Sequence, residues 1–142
     1  MAGLGASLAS YVEQLPIWWR NRLAAMRALD ELNRSSHAEL ERTARDVGVT
    51  AQRLRTIAAR GPVGVQLLEG MARTYGVGPD AFRRVDANTL REMRERCTFC
   101  DSRYRCAVDL GSGGDPARSR AYCPNADAFR ALRERAAQGA DP

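Results

Sequence analysis

Lysine is absent from this sequence: all 22 basic side chains among its 142 residues are arginine. Histidine is nearly absent too, with His37 alone, and aromatic residues make up only 6%. The lysines are missing everywhere, so a coding bias toward arginine explains them better than any one function. One histidine leaves no Ser/His/Asp set to assemble, and His37 reads as an exposed residue at a helix start. Catalysis is therefore not expected. With few aromatics, the core has to be built from Leu, Val, Ala and Met. No apolar run approaches the ~18 residues of a membrane span, so no transmembrane segment is expected. No basic stretch precedes an apolar one near Met1. A secretory leader is therefore not expected, and the sequence points to the cytoplasm. Strand-type alternation does not occur. Gly111-Ser-Gly-Gly-Asp115 is glycine-rich, but no strand precedes it and no Gly-Lys-Ser follows, so it reads as a flexible surface loop.

What is there is helical punctuation. Leu4, Leu8, Val12 and Leu15 share one helical face until Pro16 interrupts it. A helix follows from Ile17 to Leu32, with Trp18, Ala25, Leu29 and Leu32 on one side. Adjacent side chains on a helix diverge, so one of Trp18 and Trp19 lies near a surface. Ser36 and Glu39 form a capping-box pattern for a helix that ends at Gly48. Thr50 can cap the next, to Ala59. Another spans Val63 to Tyr75 before Gly76, and Gly78-Pro79 opens a short turn of helix. Asp86 can cap a helix leading into Cys97, and Asn125 one that turns Phe129 and Leu132 inward. The expected fold is all-α, a small helical bundle with a C-terminal four-cysteine metal-binding region. Its expected parts are N-terminal amphipathic helices (1–35), a helix-turn-helix-like domain (36–85) and the cysteine region (86–142).

All four cysteines, Cys97, Cys100, Cys106 and Cys123, fall in the last third, spaced C-x2-C-x5-C-x16-C. In a cytoplasmic chain such a cluster points to metal rather than disulfides. Four thiolates complete either a tetrahedral zinc site or the ligand shell of a 4Fe-4S iron–sulfur cluster. Asp101 after Cys100 suits a zinc knuckle poorly, a second C-x2-C is missing, and Cys123-Pro124 has the form of a ferredoxin-type closing pair. These put the cluster ahead of zinc, with a redox-active dithiol or unliganded thiols as the remaining readings. Phe99, Tyr104, Ala107, Val108 and Tyr122 are the expected apolar shield, and Arg96, Arg103, Arg105 and Arg120 the expected offset to thiolate charge.

The net charge of +5 comes mostly from the middle of the chain, where residues 37–85 carry 8 Arg against 5 acids. Here LERTARDVGVTAQRLRTIAARG places Ala44, Gly48, Val49, Leu54 and Ile57 where a helix-turn-helix wants a small residue, a turn glycine and core residues. Gln52, Arg53, Arg55, Thr56 and Arg60 would then be candidate base and phosphate readers. The plainer reading is a pair of core helices joined by a glycine, and Glu39, Glu41 and Asp46 on the first helix would repel phosphate. Two functions are expected. The first is a non-catalytic iron–sulfur protein in redox sensing or electron transfer with a protein partner. The second is a nucleic-acid-binding regulator whose cysteines hold structural zinc.

Cys97-Thr-Phe-Cys100, Cys106 and especially Tyr122-Cys-Pro-Asn-Ala126 resemble domain-of-unknown-function family 6455, and Leu40 to Phe82 is similar to the helical region preceding the cysteines there. The resemblance covers about residues 37–135. It implies that the four cysteines act as a set and supplies no activity. Residues 17–49, with Trp18-Trp-Arg20, Leu29-Asp-Glu-Leu32 and Asp46-Val-Gly-Val49, resemble the YjiS-like arginine-rich small proteins, a likeness that implies a connection with RNA.

Overall fold

Capping side chains stand where the chain changes direction. The Ser36 hydroxyl accepts from the Glu39 N–H at 3.2 Å, and the Glu39 carboxylate accepts from the Ser36 N–H at 2.8 Å. Two donors left open at a helix start are thus satisfied reciprocally. Gly48 takes φ 80°, a left-handed conformation that L side chains disfavour, and lets the Val49 N–H reach back to Ala44 O. The Thr50 hydroxyl accepts from the Arg53 N–H at 3.1 Å. A computed structural model describes residues 16–139. Among the described residues it has nine helices and no strand, in agreement with the all-α expectation. The face expected from Leu4 to Leu15 lies outside the described residues.

The chain divides into two compact units, one running through Val63 and the other starting at Gly64. The first holds α1 (Ile17–Arg34), α2 (His37–Val47) and α3 (Ala51–Arg60), with α3 packed on both α1 and α2. Ala25, Leu40 and Ala44 are its buried side chains. Asn21 of α1 ties down the end of α3, donating to Arg60 O at 2.9 Å and accepting the Val63 N–H at 2.8 Å. Gly61, at φ 74°, passes so close that a side chain there would run into the Asn21 amide. Of the tryptophan pair, Trp19 is 60% exposed and Trp18 half-buried.

The second unit holds α4 (Val63–Thr74), α5 (Pro79–Arg83), α6 (Ala87–Thr98), α7 (Arg103–Gly111), α8 (Pro116–Ser119) and α9 (Ala126–Gly139). Leu67, Leu68, Met71 and Ala72 recur at helical spacing on α4 and are all buried. Met93 of α6 and Phe129 of α9 are fully enclosed, and the Phe129 ring stacks on Tyr75 at 5.4 Å. The Ser119 hydroxyl donates to the Tyr75 oxygen, which donates to Pro116 O, so the buried polar atoms at α8 are paired. This grouping puts α4 and α5 with the cysteines, whereas the sequence pattern joins them to the helix-turn-helix-like stretch.

The sequence pattern marks neither α7 nor α8 as a helix. Nothing caps α7 with a side chain, and its inward residues are spaced at Cys106 and Leu110. The glycine-rich loop shrinks to residues 112–115, where Gly113 and Gly114 take positive φ. It ends because the Asp115 carboxylate accepts from the Ala117 N–H at 2.9 Å and Pro116 opens α8. No helix of the described residues is long and apolar enough to cross a membrane.

Candidate metal centre

Helix ends bring the cysteines together. Cys97 sits in the last turn of α6 and Cys100 just beyond it, Cys106 faces inward from α7, and Cys123 lies just ahead of α9. None of the four is in a disulfide, and all line one small cavity of about 20 Å³. Gly64 lets α4 approach this region backbone to backbone: a Cβ there would fall 3.0 Å from Thr98 N and 3.1 Å from the Cys97 carbonyl carbon. Leu67 and Met71 of α4 complete the cavity with Tyr122 and Pro124, giving almost wholly apolar walls, and Arg103 is the charged side chain that lines it. Among the described residues no group of three or more His, Cys, Asp and Glu side chains is arranged to hold a metal ion.

Hydrogen-bond donors converge on the sulfurs. The Ser102 N–H donates to Cys100 Sγ and the Asn125 side-chain amide to Cys97 Sγ, each at 3.3 Å. The backbone N–H groups of Asn125 and Ala126, the open start of α9, favour charge on Cys123. This corrects the expectation that the Asn125 side chain caps α9. That side chain is fully buried and turned the other way, donating to Met93 O at 2.9 Å and accepting from Arg96 at 3.4 Å. Each part of Cys123-Pro-Asn-Ala126 thus has a physical role: a sulfur at the helix start, a ring with no N–H, a buried amide, and a small buried residue.

Burial pushes the Cys97 thiol up to about 11, the Asn125 bond opposing the shift and the Cys123 and Cys100 sulfurs adding to it. Burial and the other three sulfurs push Cys106 up to about 12, and burial raises Cys123 as well. A reactive dithiol needs a lowered thiol pKa, so these shifts run against that reading. They suit buried, unreactive thiols as well as thiols that would lose their protons only to a cation. The Tyr122 hydroxyl is also raised, by burial and by its 2.6 Å bond to the Asp109 carboxylate, and the Arg105 guanidinium lies 4.4 Å over its ring.

The expected shield is corrected in part. Tyr122 lines the cavity, but Tyr104 and Val108 point outward, 68% and 51% exposed. Leu67 and Met71 take their place. Of the arginines, Arg103 lines the cavity, Arg96 reaches it through Asn125, Arg105 covers Tyr122 and Arg120 is exposed. In the other unit, Gln52, Arg55 and Thr56 are exposed on one face of α3, while Arg53 and Arg60 are half-buried.

The chain's residues 51–135 match a family of unknown function, DUF6455. The chain belongs to that family. The match takes in all four cysteines, both α4 wall residues and Asn125, whereas residues 17–49 lie outside it. No curated protein and no solved structure matches the chain.

Proposed function

We propose that the protein carries an iron–sulfur cluster on Cys97, Cys100, Cys106 and Cys123 and serves in redox sensing or electron transfer, without catalysis of its own, in the cytoplasm and with a protein partner. The observation that carries this reading is that four thiols from the end of α6, from α7 and from the approach to α9 line one apolar cavity, with N–H groups aimed at two of the sulfurs. Bound, such a cluster supplies one-electron chemistry at a potential set by hydrogen bonds to sulfur and by exclusion of water. Leu67, Met71, Tyr122 and Pro124 exclude the water, Ser102 and Asn125 donate to sulfur, and Arg103 offsets thiolate charge. A zinc ion needs four sulfurs at ~2.3 Å from one point. Cys123-Pro124 and the absence of a second C-x2-C pair favour the cluster over zinc. Loading it requires the walls of this cavity of about 20 Å³ to part.

Anaerobic purification tests this. A brown protein with about four irons and four sulfides per chain is expected, with iron lost in Cys123→Ser. A colourless protein with one tightly held zinc would replace the cluster by a structural ion, and a protein holding neither metal would end the reading. A second reading rests on the exposed stripe Gln52, Arg55 and Thr56 on α3, which follows the three-residue turn at Gly48: a nucleic-acid-binding regulator stabilised by zinc. Arg55→Ala would then lower the affinity for duplex DNA and flatten its salt dependence. A wild type with no salt-sensitive affinity for DNA removes this second reading.

A further inference from the structure

Asn125 is an unusual occupant of its position. It is fully buried, packed in the sequence beside Ala126 and one turn from Phe129, both of them buried. An amide in such surroundings costs stability unless its polar atoms are paired, and an apolar residue of similar shape fills the space without that cost. Its three hydrogen bonds go to Met93 O, to Cys97 Sγ and to the Arg96 guanidinium. The bond to Met93 fixes the amide to α6 one turn before Cys97. The bond from Arg96, whose side chain is half exposed and also faces Glu92 at 3.8 Å, draws electron density toward the amide oxygen. That polarisation sharpens the donation to sulfur, and an N–H bond to sulfur strengthens as the sulfur gains negative charge.

We infer that Asn125 is a positioning residue for the metal centre, relaying the Arg96 charge through its buried amide to the Cys97 sulfur. This rests on the metal reading above but not on which metal is bound. It assigns distinct jobs to the two partners: Asn125 sets where Cys97 Sγ sits and how firmly it binds, and Arg96 tunes its charge from the surface. Removing an outer partner of a ligand typically weakens metal binding 10–100-fold.

The test uses the full chain, loaded anaerobically with iron and sulfide and, in parallel, with zinc. Three variants are compared with the wild type: Asn125→Leu, Arg96→Gln and Arg96→Lys. Asn125→Leu is expected to lose metal to a chelator 10–100-fold faster. Arg96→Gln should move the midpoint potential negative, because the reduced cluster carries more negative charge, and Arg96→Lys should restore it. A purely structural role for Asn125 would leave the potential shift of Arg96→Gln the same in the Asn125→Leu background, whereas a relay makes the shift shrink there. If Asn125→Leu holds its metal as firmly as wild type, or if Arg96→Gln leaves both potential and metal loss unchanged, the relay is overturned. Should Asn125→Leu not fold, Asn125→Ala takes its place in the same comparison. Should the wild type take zinc but no cluster, the cluster reading fails while zinc loss still decides the relay. A wild type that holds neither metal sinks both.

Discussion

Raising the pH of the metal-free protein from 8 to 10 should lower its melting temperature through the thiols. Folding raises Cys97 from 9.0 to about 11 and Cys106 from 9.0 to about 12, so the folded state favours the protonated form. Stability from such groups is complete below the unfolded value and is lost as pH rises toward the folded one. At pH 8 both states are protonated and nothing changes. At pH 10 the unfolded thiols are largely ionised while the folded ones are not, a difference of about 1.4 kcal/mol for each thiol. Two thiols give up to ~3 kcal/mol, or about 10–20 °C for a unit of this size. Calorimetry at the two pH values measures the drop, and thiolate absorbance tracks the ionisation. The metal-loaded protein, whose sulfurs are already thiolates, should show no such loss from this source. A Cys97→Ser/Cys106→Ser double variant that melts with the same pH dependence would refute the reasoning, and so would a wild type with more thiolate absorbance near pH 9 than this double variant.

Metal affinity should fall steeply as pH drops below 8. Each of the four thiols gives up a proton to bind as thiolate, so up to about ten-thousandfold is lost per pH unit, measurable by chelator competition. Gly64→Ala places a Cβ 3.0 Å from Thr98 N and must push α6 or α4 aside; metal content per chain should drop, and a variant that loads fully would show that the close approach is dispensable. Phe129→Ala removes a fully buried ring stacked on Tyr75 and should cost about 3–5 kcal/mol in denaturant unfolding, with values under ~1 kcal/mol placing Phe129 outside the essential core.

The helix boundaries were legible because their determinants are local. Ser36, Thr50 and Asp86 accept the backbone N–H three residues on, and Gly48 and Gly76 take positive φ where their helices stop. α8 carried the same kind of signal in Asp115-Pro116, but the glycines just before it masked the pattern. α7 had no capping side chain to announce it. At the candidate site, the four cysteines stood out because cysteine is rare and clustered here. Their surroundings did not. Leu67 and Met71 lie some thirty residues upstream on a helix whose periodicity shows an inner face but not what that face meets. Asn125 looked like a local cap because its neighbours have a helix-start pattern; only the approach of Met93 and Cys97 gives its amide another use. Arg53 and Arg60 fell short of full exposure because α1 packs on α3, a long-range contact no spacing rule contains.

The part played by α4 bears on how this molecule can be cut. A fragment beginning at Asp86 would keep every sulfur yet lose Leu67 and Met71, leaving one flank of the thiol chamber open to water and dissolved oxygen. Removing α4 at the link between α5 and α6 would therefore unroof the cavity without touching a single cysteine. A trimmed version meant to retain it has to reach back at least to Gly64.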